Sequence, residues 1–175
     1  MRYHSLHTME ALDAIRRLHA EIDRAVAPLE GMHRDRLECR KGCIDCCRDD
    51  ITVFEIEAER LRSEHAALLR DGDPHPPGRC AFLDAEGACR VYESRPYVCR
   101  TQGLPLRWLE EDQGTMVEYR DICTLNESGP LITDLQPNAC WTIGPTETKL
   151  QALERARCGG DPRRVKLREL FAQPR

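Results

Sequence analysis

Ten of the 175 residues are cysteines, and four of them fall within one short run, Cys39-Arg-Lys-Gly-Cys43-Ile-Asp-Cys46-Cys47. Cys39-x3-Cys43-x2-Cys46 is a compact chelate. Two or three intervening residues let the chain turn back so that successive sulfurs face a common centre, and Gly42 eases the tight backbone before Cys43. Three ligands on one loop with a distant fourth is a spacing used by iron–sulfur proteins and by zinc sites. Cys46 and Cys47 are adjacent, so their side chains diverge. Cys47 then serves a second centre, stays a free reactive thiol, or fills space as a small buried hydrophobe. Downstream lie Cys80, Cys89, Cys99 and Cys123, enough with the first four for two four-thiolate centres. The expected partition puts Cys39, Cys43, Cys46 and Cys99 on one and Cys47, Cys80, Cys89 and Cys123 on the other. Cys140 and Cys158 lie outside any chelating spacing and read as ordinary thiols. The expected cofactor is an iron–sulfur cluster of the 4Fe–4S type or zinc, and the three-plus-one spacing favours iron–sulfur.

Arg follows Cys39, Cys47, Cys89 and Cys99, as Arg40, Arg48, Arg90 and Arg100. Neighbouring guanidinium groups lower thiol pKa values and offset the negative charge of a thiolate centre. Arg95 and Arg100 could instead grip an anionic substrate. The six histidines are scattered; His4, His7 and His75 fall in predicted loops and read as solvent-exposed rather than as ligands. No Gly-rich phosphate loop and no Ser/His/Asp arrangement is present.

The elements that must hold the cysteines read as α+β. Leu12, Ile15, Leu18, Ile22, Val26 and Leu29 recur at helical spacing, which predicts a helix from a Thr8 cap to about Leu29, with Gly31 just past its end. Residues 37–50 have neither period and form the cassette loop. Thr52-Val-Phe-Glu55 fits a capping box, so a second helix is expected from Thr52 to about Arg70, where Asp71-Gly-Asp-Pro-His-Pro-Pro-Gly78 ends it. Cys80–Val91 predicts a hairpin turning at Asp84-Ala-Glu-Gly87, with Cys80 and Cys89 near its two ends. Ser94–Cys99 predicts a short helix or turn with Pro96 in its first turn. Leu104–Leu109 and Met116–Tyr119 predict a weaker hairpin, and residues 126–145 are irregular. Two helices close the chain, Thr146–Arg157 stopped by Gly159-Gly160, and Asp161–Phe171 with Pro162 at its first position. The expected organisation is one domain over 1–175, a cysteine-cluster core over 37–101 and C-terminal helices over 146–175, the latter packing with the N-terminal helix as the apolar core.

Aromatic residues make up 5% of the chain and charged residues 32%, so that core must rest on Leu, Ile, Val and Cys. The net charge of −4 speaks against a general nucleic-acid binder. From Glu154 to Arg175, seven Arg or Lys face three Asp or Glu. Such a basic stretch can dock a protein partner, or be a solvated helix face. Met1–Arg17 has no signal-type apolar run and no stretch is long enough for a membrane span, which predicts a cytoplasmic protein with reduced thiols. Disulfides are the competing reading of so many cysteines.

Cys39, Cys43, Cys46-Cys47, Cys80-Ala-Phe-Leu83, Cys89-Arg-Val-Tyr92 and Glu93-Ser-Arg-Pro-Tyr-Val-Cys99-Arg100 together resemble the CxxCxxCC family, the YkgJ-type zinc- or iron-chelating cysteine-cluster domain. The resemblance covers roughly Leu37 to Thr101. Three residues separate Cys39 and Cys43 where the family name implies two. It implies a small metal-binding domain. The same region is similar to the cluster-bearing part of flagellin lysine methylases, which implies an iron–sulfur-dependent modifying activity as one alternative. The radical S-adenosylmethionine spacing is also met, but a helix, a Pro-rich loop and a hairpin follow the motif where alternating strands and helices are required. Three readings therefore stand: a cytosolic iron–sulfur or zinc holder, an iron–sulfur enzyme of methylase or small oxidoreductase type, and an interaction module folded by zinc.

Overall fold

A computed structural model describes residues 2–40 and 42–171, with side chains from Met9 onward. In chain order the elements are α1 (Arg2–Met32), β1 (Thr52–Phe54), α2 (Glu55–Glu64), α3 (Ala66–Asp71), α4 (Tyr97–Arg100), β2 (Leu106–Asp112), β3 (Thr115–Asp121), β4 (Trp141–Thr142), α5 (Pro145–Cys158) and β5 (Arg164–Lys166), joined by several single 3-10 turns. The architecture is α+β, as the sequence predicts.

The apolar stripe of α1 does what its spacing implies: Ile15, Leu18, Ile22, Val26 and Leu29 are all buried. The helix starts at Arg2 instead of Thr8, because nothing before Thr8 breaks it, and it passes Gly31 by one residue. Thr8, His4 and His7 therefore lie within the helix rather than at a cap or in loops; their side chains fall outside the described residues. Five buried residues of α1 join Phe54, Ile56, Tyr97, Leu104, Trp141 and Leu150 in a first core. A second core gathers Val53, Ala58, Leu61, Cys80, Phe82, Leu83, Val91, Leu167 and Leu170, with Cys47 and Cys89 packed against it. α2 stands between them, Ile56 facing the first and Leu61 the second.

Two helix expectations fail for one reason. Thr52-Val-Phe, β-branched and aromatic, pairs antiparallel with β5, Thr52 opposite Lys166 and Phe54 opposite Arg164. That pairing takes the backbone of Thr52, so α2 starts at Glu55 and its returning carboxylate is Glu57, which accepts the Phe54 N–H at 3.2 Å. The segment predicted as a helix over Asp161–Phe171 is instead β5 followed by a 3-10 turn, Leu167–Leu170, whose three-residue spacing buries both leucines. The helix expected to reach Arg70 also breaks at His65, between α2 and α3.

The β2–β3 hairpin is present and longer than predicted, turning through Gln113 and Gly114, both at positive φ (48° and 81°). β4 lies parallel to β2 on its other side. The turn at Asp84–Gly87 forms, with Gly87 donating to Asp84 O at 3.2 Å, but only the Leu83–Cys89 bridge follows it. α5 ends at Gly159 in the left-handed conformation, as predicted.

Buried carboxylates bind these elements together. Glu154 of α5, fully buried, accepts Ile56 N–H at 2.9 Å in the first turn of α2 and pairs with Arg157 at 2.7 Å. Three residues of the basic C-terminal stretch are engaged within the molecule: Arg157 also reaches Glu59, Arg164 lies over the Phe54 ring, and Arg168 pairs with Asp49 and donates to the carbonyls of His75, Pro76 and Arg79.

Candidate metal centre

The cassette loop begins after a turn at His33–Arg36 and folds into two tight turns, Cys43 N–H to Arg40 O at 2.9 Å and Cys47 N–H to Ile44 O at 2.9 Å. Gly42 supplies a φ of +88° within the first of them, the tight backbone expected before Cys43.

Cys39 sits at a joint. Its sulfur accepts an N–H from Asn126 at 3.4 Å, and it lies so close to Gly103 that a Cβ on that glycine would overlap it. Asn126, fully buried, also donates to Gly103 O at 2.8 Å and accepts Glu38 N–H at 2.8 Å. The same residue closes a 3-10 turn on Cys123, Asn126 N–H to Cys123 O at 2.8 Å, which brings Cys123 to the Cys39 loop. Burial of its sulfur pushes the Cys39 pKa up, Asn126 opposes the rise, and the thiols of Cys43, Cys123 and Cys46 add to it.

A second group forms against the second core. Cys80 N–H donates to Cys47 O at 3.0 Å, and the Leu83–Cys89 bridge places Cys89 beside them. Cys99 arrives on α4, whose first N–H, from Tyr97, donates to the buried carboxylate of Glu57 at 2.8 Å. Burial pushes Cys99 up, and the thiols of Cys80, Cys89 and Cys46 act on it in the same direction. Burial likewise raises Cys80 and Cys89. Cys46 and Cys47 interact rather than diverging as their adjacency predicts, and the hydrogen bond between them lowers Cys46 to about 6 and raises Cys47.

The thiols that act on Cys39 are thus Cys43, Cys123 and Cys46, while those on Cys99 are Cys80, Cys89 and Cys46. Cys46 acts on both and so links the two neighbourhoods. Asn126 anchors the Cys123 turn to the Cys39 loop across 87 residues of sequence. Among the described residues no group of three or more His, Cys, Asp or Glu side chains is placed to hold a metal ion. The thiols are soft donors, and the space at Gly103 that only a glycine leaves for the Cys39 sulfur fits a thiolate ligand at that position.

The arginines following cysteines mostly serve elsewhere. Arg40 pairs with Glu38, Arg48 is exposed, and Arg100 is buried against Asp23 and Glu93 O, which removes it as a substrate grip. Arg90 acts on its neighbouring thiol, Cys89, together with Arg95. Sequence reasoning missed Asn126, Gly103, Glu57 and Arg36. Each acts across a long sequence separation, and no local pattern marks it. Cys140 is buried, and Cys158 contacts Asp161 O at 3.5 Å, away from both groups.

A family model described as “CxxCxxCC: Putative zinc- or iron-chelating domain” matches residues 38–139. The match reaches past the Leu37–Thr101 region and takes in Cys123 and Asn126. No curated protein and no solved structure matches the chain.

Proposed function

The chain belongs to the CxxCxxCC family of zinc- or iron-chelating domains, and on that premise we propose that it is a cytoplasmic protein whose clustered thiolates hold an iron–sulfur centre. Cys39, Cys43, Cys46 and Cys123 form one ligand group, and Cys47, Cys80, Cys89 and Cys99 the other. The metal-binding core extends from Leu37 to Asn126 rather than stopping at Thr101. The observation that carries the reading is the seating of the Cys39 sulfur between Gly103 and the Asn126 amide, 3.4 Å away. N–H donation to a ligating sulfur is how proteins orient a thiolate and tune the charge of its centre. Iron–sulfur is preferred to zinc because three cysteines on one loop, completed from afar, is a common way for such a cluster to be held.

Zinc would use the same thiols and leave a closed structural site. One experiment separates the two. The full chain, purified without oxygen, is analysed for iron, zinc and acid-labile sulfide, and its visible spectrum is recorded. Iron with matching sulfide and a broad absorption near the visible edge supports the proposal. Stoichiometric zinc in a colourless protein replaces the cluster with a structural ion. A folded chain holding neither metal overturns both.

A further inference from the structure

Arg36 is buried, 5% exposed, in the turn that follows α1. Its Nε donates to Asn126 O at 2.9 Å, but Nη1 and Nη2 are closed off from solvent and have no hydrogen-bond partner. Three other guanidinium groups, buried or half-buried, each face a carboxylate, although Arg62 and Arg100 each leave their Nε unpartnered. Arg100 meets Asp23 at 2.5 Å, Arg62 meets Glu55 at 2.5 Å, and Arg157 meets Glu154 at 2.7 Å. Among the described residues no carboxylate pairs with Arg36. An arginine cannot shed its proton, so an unpaired one shut away from water is strongly unfavourable unless an anion stands near it.

The position of Arg36 says which anion. Asn126 holds the Arg36 side chain with its backbone carbonyl and touches the Cys39 sulfur with its side-chain amide. Guanidinium, amide and sulfur are therefore one connected unit. A divalent ion or an iron–sulfur cluster bound by four thiolates carries net negative charge. We propose that Arg36 is the internal counter-charge of the thiolate centre built on Cys39, with Asn126 as the joint that fixes their spacing. The inference rests on the metal-binding reading. It adds a positioning residue that touches no ligand sulfur itself, and it makes the metal-free chain the frustrated state. Cys140, also buried and within electrostatic reach of Arg36, is the competing anion.

The test uses the full chain stripped of metal, with Zn2+ as the probe in competition with a chromophoric chelator, alongside thermal unfolding of the metal-free form. Arg36→Met keeps the volume and removes the charge. It should raise the unfolding temperature of the metal-free chain and weaken Zn2+ binding by roughly 10- to 100-fold, the effect expected of a group just outside the ligands. Arg36→Lys restores the charge and should recover most of the lost affinity. Packing alone gives neither the opposite signs nor the rescue. Zn2+ affinity unchanged in Arg36→Met overturns the proposal, as does a loss that Arg36→Lys does not recover. If Cys140→Ala destabilises the metal-free chain and Arg36→Met then has no further effect, the anion is the Cys140 thiolate and the proposal fails. A wild-type chain that binds no Zn2+ and holds no iron with sulfide as purified sinks the metal-binding reading itself, an outcome distinct from wild type and Arg36→Met binding alike.

Discussion

Asn126 donates to the sulfur of Cys39 at 3.4 Å while the same amide nitrogen donates to Gly103 O at 2.8 Å. With its side-chain oxygen on Glu38 N–H, Asn126 satisfies three groups from one fully buried position. Asn126→Ala leaves the Glu38 N–H and the Gly103 carbonyl unpaired. The Gly103 carbonyl is buried and the Glu38 N–H partly so; an unmet buried partner costs about 1–3 kcal/mol, so a loss of that size is expected in urea unfolding, together with weaker metal retention. A change below about 1 kcal/mol would mean that water replaces the amide.

Gly103 and Gly31 should respond to alanine with opposite signs. At Gly103 the backbone has a φ of +90° and a new Cβ would overlap the Cys39 sulfur. Gly103→Ala must strain the backbone or push the sulfur aside, at a cost of about 1–3 kcal/mol, and it should lower metal content. Gly31 lies within α1, and a Cβ added there would meet nothing within 4 Å. Gly31→Ala should stabilise by up to about 1 kcal/mol through helix propensity. Thermal unfolding of the two variants side by side reads the contrast directly, and equal destabilisation would contradict it.

What the sequence made legible was local. The cassette turns, the Gly114 hairpin and the Gly159 helix stop follow from residues a few positions apart, and each formed near its expected place. The missed features depend on distant partners. Asn126 reaches Cys39 across 87 residues, Arg36 reaches Asn126 across 90, and Glu57 reaches Tyr97 across 40. A three-residue strand such as β1 has no periodicity to betray it; it exists because β5 supplies a partner, and Arg164 meets Thr52 across 112 residues. The arginines after cysteines misled for the same reason. Although Arg100 follows Cys99 in sequence, the fold sets it against Asp23, 77 residues away, rather than against a thiolate.

His19 makes stability depend on pH. It is 1% exposed, and burial holds its pKa below the ordinary 6.5, with Arg100 and Arg60 lowering it further while Glu57 opposes. Arg60 donates to Nδ1 at 2.7 Å, so the ring is neutral with its proton on Nε2, directed at Glu57 Oε1 3.2 Å away. Because the folded value is the lower one, the unfolded chain takes up the proton first. Stability is full above about pH 7 and falls as pH drops through about 6.5 toward the folded-state value. Urea midpoints measured from pH 7.5 to 5 should decline, and His19→Gln should flatten the slope. His65, also lowered chiefly by burial, adds a slope of the same sign that persists in the variant. An unchanged slope in His19→Gln would rule His19 out as the source.

Cys123→Ser and Cys99→Ser should strip different metal. Cys123 is tied to Cys39 through the turn that Asn126 closes, whereas Cys99 is carried by α4 to the group of Cys80 and Cys89. Replacing one sulfur removes a soft ligand from its own group and leaves the other group whole. Metal counted per chain by native mass spectrometry should therefore fall partway in each single variant and to near zero in the double. Cys158→Ser, whose thiol contacts only Asp161 O among the described partners, should leave the count unchanged. Complete loss in either single variant would mean that one centre draws on both groups, with Cys46, which acts on Cys39 and on Cys99 alike, at its middle.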